Sequence, residues 1–95
     1  MKLRFTIPAQ KDLSTIYAYI ADRDLAAADR VVARLRDVSS RLALNPHPGH
    51  PTTRKDVRVF SVRTYPYVIY YRIRGDALEI LHIRHTARRP WDELE

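Results

Sequence analysis

The stretch that decides the fold runs from Val57 to Arg84 and holds three strand-like runs. They are Val57-Arg58-Val59-Phe60-Ser61-Val62-Arg63, then Tyr67-Val68-Ile69-Tyr70-Tyr71-Arg72-Ile73-Arg74, then Ala77-Leu78-Glu79-Ile80-Leu81-His82-Ile83-Arg84. Each is rich in β-branched and aromatic residues and has the length of a strand. Thr64-Tyr65-Pro66 separates the first two, and Gly75-Asp76 is a two-residue hairpin signal between the last two. An antiparallel meander follows. In the second run Tyr67, Ile69, Tyr71 and Ile73 alternate with Val68, Tyr70, Arg72 and Arg74, so one face is expected in a core and the other is expected to carry charge. In the third run His82 alternates with Leu78 and Ile80, which predicts a half-buried packing residue on their face with one satisfied nitrogen.

Outward from the meander, Leu3, Phe5 and Ile7 alternate with Lys2, Arg4 and Thr6, a short half-buried strand that must join the same sheet. Pro8 is read as the first helical position, and Leu13, Ile16, Tyr17 and Ile20 form one apolar stripe to about Ala21. Asp24 is the expected cap of a second helix with the stripe Leu25, Ala28, Val31, Val32, Leu35, Val38 and Leu42. Asn45, in a left-handed closing conformation, and Pro46 are expected to end it. The tight link makes the two helices an antiparallel hairpin. Pro46 to Thr53 reads as a stiff connector within one domain, and residues 85–95 as an irregular tail pinned by a Pro90-Trp91 clasp. The order is β-α-α-β-β-β: an α+β fold over residues 1–95, with the helical hairpin on one face of a four-stranded, antiparallel-rich sheet.

Charge narrows the partners. The 95 residues carry a formal net charge of +6 with a pI near 10.1. Residues 54–74 hold six basic side chains and one acidic, so the sheet segment owns the excess. That favours a polyanion or an acidic protein. With no cysteine, neither a disulfide framework nor a thiolate zinc site is possible, and His47 and His50 in the connector lack a third ligand. The N-terminus has no apolar leader-like core and no run is long enough to span a bilayer, so a cytoplasmic, membrane-free protein is expected. Glycine-rich phosphate loops and Ser-His-Asp patterns are absent; no cofactor, metal or small-molecule substrate is expected.

Two surfaces attract chemistry. Arg54, Lys55, Arg58, Arg63, Arg72 and Arg74, interleaved with Tyr65, Tyr67, Tyr70 and Tyr71, have the composition of a single-strand or RNA platform. Tyr and β-branched residues are also what any strand prefers, and Arg on a solvated face is ordinary. His85, surrounded by Arg84, Arg88 and Arg89, has the type for general-base work on a phosphodiester; the plainer reading is a solvated terminus.

Beyond composition, the chain resembles a known family. Ala9-Gln10-Lys11-Asp12-Leu13-Ser14-Thr15-Ile16-Tyr17-Ala18-Tyr19-Ile20, Leu42-Ala43-Leu44-Asn45-Pro46-His47-Pro48-Gly49, Arg63-Thr64-Tyr65-Pro66-Tyr67-Val68-Ile69-Tyr70-Tyr71 and Ile80-Leu81-His82-Ile83-Arg84-His85 together look like the ParE/RelE superfamily of toxins from bacterial toxin-antitoxin pairs. The likeness spans nearly the whole chain and implies the fold order just read. RelE-like members are ribosome-dependent mRNA endonucleases that use Lys and Arg on inner strands with a Tyr or His near the C-terminus. Here Val59, Ser61 and Val68 stand where such nucleases typically carry Lys, Lys and Arg, groups needed to balance phosphodiester charge. Arg63 and His85 match positions some nucleases use, so the nuclease alternative rests on Arg63, Arg84 and His85, with ribosome and mRNA as partners. ParE-like members share the Tyr65-Pro66-Tyr67 turn and the Ala9-to-Ile20 pattern, and poison DNA gyrase without catalysis.

The favoured expectation is the second branch: an inhibitor of DNA gyrase neutralised by a cognate, acidic antitoxin that wraps it with a helix and a strand. Leu25 and Val32 would seat the helix and Arg58, Arg63 and Arg72 would pair with its acids. Tyr65, Tyr67, Arg88 and Arg89 complete the expected partner-binding set.

Overall fold

The protein is described here by a computed structural model covering residues 1–93. Strand β1 (Lys2–Phe5) is followed by helices α1 (Ile7–Ala21) and α2 (Leu25–Leu44), then strands β2 (His50–Pro51), β3 (Arg58–Ser61), β4 (Tyr67–Arg74) and β5 (Ala77–His85), and a single 3-10 turn at Trp91–Glu93. One mixed sheet has the order β1-β5-β4-β3-β2, with β1 parallel to β5 and the other neighbours antiparallel. The expected four strands are five. His50 pairs with Val59 and Pro51 with Arg58, and Pro51 is tolerated because β2 is an edge that need not donate to a further strand.

Helix ends differ from the sequence reading in two places. The first helix begins one residue earlier, at Ile7, because Thr6 caps it: its hydroxyl accepts from Ala9 N at 3.3 Å and donates to the Ile80 carbonyl at 2.9 Å. Ile7 therefore leaves the strand alternation and is exposed. Asp24 caps α2 as expected, accepting from Ala27 N at 3.0 Å. Asn45 closes α2 in an extended conformation, φ −147°, and not a left-handed one. Pro46 explains this, since a residue before proline is held to extended backbone.

The hairpin packs on one face of the sheet. Ala9 and Leu13 of α1 meet Val31, Leu35, Val38 and Leu42 of α2 and Ile69, Tyr71, Leu78, Ile80 and Ile83 of the sheet in the main core. Burying a side chain the size of Leu35 contributes about 1.5–3 kcal/mol. Leu25, expected in the stripe, lies at the first turn of α2 and is 60% exposed.

A β-bulge overturns one face assignment. Tyr70 pairs with His82 but Tyr71 pairs with Ile80, which leaves Leu81 as an extra residue in β5. Beyond that insertion the alternation flips. His82 therefore stands opposite Tyr70 on the face away from the helices, not beside Leu78 and Ile80.

Candidate functional site

The helix-free face has an apolar centre. Val57, Tyr70 and Leu81 are buried there, and Val59, Val68 and Trp91 pack against them. The clasp anticipated at Pro90-Trp91 forms on this face: the Trp91 ring lies 5.5 Å from Tyr70, 4.7 Å from His82 and 4.2 Å from the Arg54 guanidinium, and Trp91 N donates to the Tyr70 hydroxyl at 3.2 Å. Asp92 continues the attachment, accepting from Thr53 N at 3.3 Å and, through its carbonyl, from the Thr53 hydroxyl at 2.8 Å. Burial raises the Tyr70 hydroxyl above the usual tyrosine value of 10.0, against a lowering by its bond from Trp91 N.

Beside that centre lies a cavity of about 580 Å³ lined by Thr6, Arg54, Lys55, Arg72, His82 and Trp91, among others. His82 Nδ1 is 2.9 Å from Asp12 Oδ2, which also accepts from Ile83 N at 3.0 Å. One carboxylate on α1 thus closes a backbone gap where β5 runs past the end of β1 and orients the imidazole. Arg72 is paired across the strands with Glu79 at 2.9 Å. Sequence reasoning missed this grouping. Asp12 and His82 are 70 residues apart, and the bulge that turns His82 to this face has no distinctive residue.

The residues of the nuclease alternative are not gathered. Arg63 sits in the turn before β4 with φ 68° and lines a slot of about 530 Å³ between α2 and the β3 edge, together with Arg34, Arg41, Phe60 and Val62. Arg84 is on the helix-free face opposite Val68, and its buried Nε has no hydrogen-bond partner among the described residues. His85 is exposed on the opposite face, edge-on to Tyr67 at 5.4 Å, with Nδ1 accepting from Ala87 N at 3.0 Å. Val59 and Val68 pack in the apolar centre and Ser61 is exposed, so the positions that would need cations hold none.

The partner-binding set is likewise spread over several surfaces. Val32 lines a groove of about 620 Å³ between the hairpin helices with Phe5, Leu13, Ser14, Tyr17 and Arg36, while Leu25 is exposed on the same helix seven residues earlier. None of Arg58, Arg63 and Arg72 lines it. Arg58 donates to the Gly49 carbonyl at 3.1 Å, Tyr65 packs against the main core, and Arg88 lines another groove with Tyr67, Ile83 and His85. Arg89 is exposed. Among the described residues, Phe60 and Ser61 have no strand outside them, since β2 covers only Arg58 and Val59. Among the described residues there is no group of three or more His, Cys, Asp or Glu side chains suited to a metal, and no helix is long and apolar enough to cross a membrane.

This architecture is that of the ParE/RelE superfamily toxins. Residues 3–90 match the family described as the ParE toxin of the type II toxin-antitoxin system, parDE, and the chain belongs to that family. It is 39% identical to the Sinorhizobium fredii protein Y4kP over 93 residues, covering 98% of this chain and 95% of that one. It is also 34% identical to toxin RelE2 of Caulobacter vibrioides, covering 88% and 93%. Among solved structures, a chain of the chromosomal ParDE toxin-antitoxin system from P. aeruginosa aligns with a TM-score of 0.81 at 25% identity, covering 90% of this chain and 96% of that one.

Proposed function

We propose that this toxin inhibits DNA gyrase, acts in the cytoplasm where the chromosome lies, and is neutralised by a cognate antitoxin. The observation that carries the reading is the apolar centre of the helix-free face: Val59 and Val68, which stand where a strand-borne nuclease site would need cations, pack against buried Val57, Tyr70 and Leu81. Family membership points the same way. Without those strand-borne cations, the toxin on this reading acts by occupying another macromolecule.

For the antitoxin, the groove at Val32 suits one apolar face of an amphipathic helix, with Leu25 at its end. The uncovered edge at Phe60 and Ser61 suits an added strand, and Arg34, Arg41 and Arg63 flank it with positive charge for acidic side chains. Pulse labelling after induction tests the target. Gyrase inhibition stops DNA synthesis before protein synthesis; the reverse order contradicts the reading.

The second reading, a ribosome-dependent endoribonuclease, draws support from one feature: His82 shares a cavity with Arg54, Lys55 and Arg72. Primer extension on translated mRNA checks it. The gyrase reading predicts no codon-positioned breaks; breaks abolished by His82→Gln and retained in His85→Gln would establish a nuclease at that cavity.

A further inference from the structure

We propose that the basic corner built by Arg54, Lys55, Arg72 and Arg74 binds the phosphate backbone of duplex DNA.

The corner is assembled by a short, fixed turn. Thr52 N donates to the Val57 carbonyl at 3.0 Å, the Thr52 hydroxyl donates to the same carbonyl at 2.9 Å, and Val57 N donates to the Arg54 carbonyl at 3.2 Å. Asp56 takes a left-handed φ of 62°, which Asp tolerates better than most residues. The turn holds Arg54 and Lys55 between two adjoining cavities of about 510 and 580 Å³, and Arg72 lines both. Arg74 lies two residues further along the same face of β4 and is exposed. The nearby acids are Glu79, paired with Arg72, Asp56 within the turn, and Asp92, whose carboxylate accepts from Thr53 N at 3.3 Å.

What these cations could hold is limited by their surroundings. A single strand is bound by stacking its bases on free rings. Here Tyr70 is 3% exposed and Tyr71 fully buried, and Trp91 is already packed against Arg54, His82 and Tyr70. An amphipathic peptide needs apolar anchors. Val57 and Leu81 in the cavity walls are buried, and Ile73 is the exposed large apolar side chain among those lining them. Dense cations without stacking or anchoring surfaces fit a duplex backbone, whose charge is regular and needs no base contact. The cellular role of the contact rests on the gyrase reading, because gyrase presents duplex DNA.

The test uses the full chain without gyrase: fluorescence anisotropy of a labelled duplex over a salt series. Affinity should fall linearly in log–log form, with a slope of about −0.9 per phosphate neutralised. The double substitution Lys55→Ala, Arg74→Ala, at two exposed positions, should make that slope shallower by roughly 1 to 2 and weaken binding equally for unrelated sequences, while Lys11→Ala on α1 leaves it unchanged. No salt-dependent binding, a slope unaffected by the double substitution, or tighter binding of single-stranded RNA or an acidic peptide than of the duplex would overturn the proposal. A chain that binds no duplex yet inhibits gyrase refutes this inference alone. One that binds duplex and spares gyrase refutes the gyrase reading alone.

Discussion

The Tyr71 hydroxyl holds Gly49 in place, accepting from its backbone N at 3.0 Å while donating to the Pro46 carbonyl at 2.6 Å. A phenol at the bottom of the main core thereby organises the Pro-rich connector that leads from the helical hairpin into the sheet.

Removing that hydroxyl in Tyr71→Phe strands a buried N–H and a carbonyl, so a loss of about 1–3 kcal/mol is expected in urea unfolding. Gly49→Ala should be at least as damaging. Its Cβ would land on the Tyr71 hydroxyl and ring, and a fully buried ring cannot swing aside. Unfolding midpoints unchanged in both variants would show that the connector is not anchored here.

Alkaline behaviour follows from the buried phenols. Burial raises Tyr71 above 10.0, against lowering by the Gly49 N–H and Arg58, and burial likewise raises Tyr67 and Tyr70. The folded state favours the neutral phenols, so their contribution is fully present below pH 10 and is lost as pH rises through the higher folded values. Tyrosinate absorbance against pH should show these groups titrating late, together with unfolding. Ordinary titration of all six tyrosines in a folded chain would contradict this.

Asp12→Ala should expose the gap beside β5. Ile83 N loses its acceptor and His82 its orienting partner, a loss of roughly 1–3 kcal/mol measurable by chemical denaturation. Hydrogen exchange at the Ile83 amide should accelerate more than that expected from global destabilisation.

Val32→Glu places a charge in the hairpin groove and should weaken the antitoxin complex roughly tenfold or more, read by calorimetry, with circular dichroism confirming the fold. Undiminished affinity would move the antitoxin helix elsewhere.

Much of this structure could be read from the chain. The meander was legible because β-branched and aromatic runs are punctuated by Gly75-Asp76 and by Pro66, and Trp91 was legible as a clasp because a small domain rarely leaves its one indole in water. Three features were not. Ile80-Leu81-His82-Ile83 fits a regular strand residue by residue, so the bulge that carries His82 to the other face left no mark. Ile7 continued an alternation that Thr6 ends by capping α1. A two-residue strand containing Pro51 contradicts strand propensity and exists only through its pairing with β3. The candidate site suffered for the same reason: whether Arg63, Arg84 and His85 converge depends on sheet register, which sequence adjacency does not encode.

The most direct measurement is a supercoiling reaction with purified DNA gyrase and stoichiometric toxin. On the gyrase reading the chain inhibits supercoiling, His85→Gln inhibits as well, and the antitoxin restores activity. Full supercoiling in the presence of folded, antitoxin-binding toxin would contradict it.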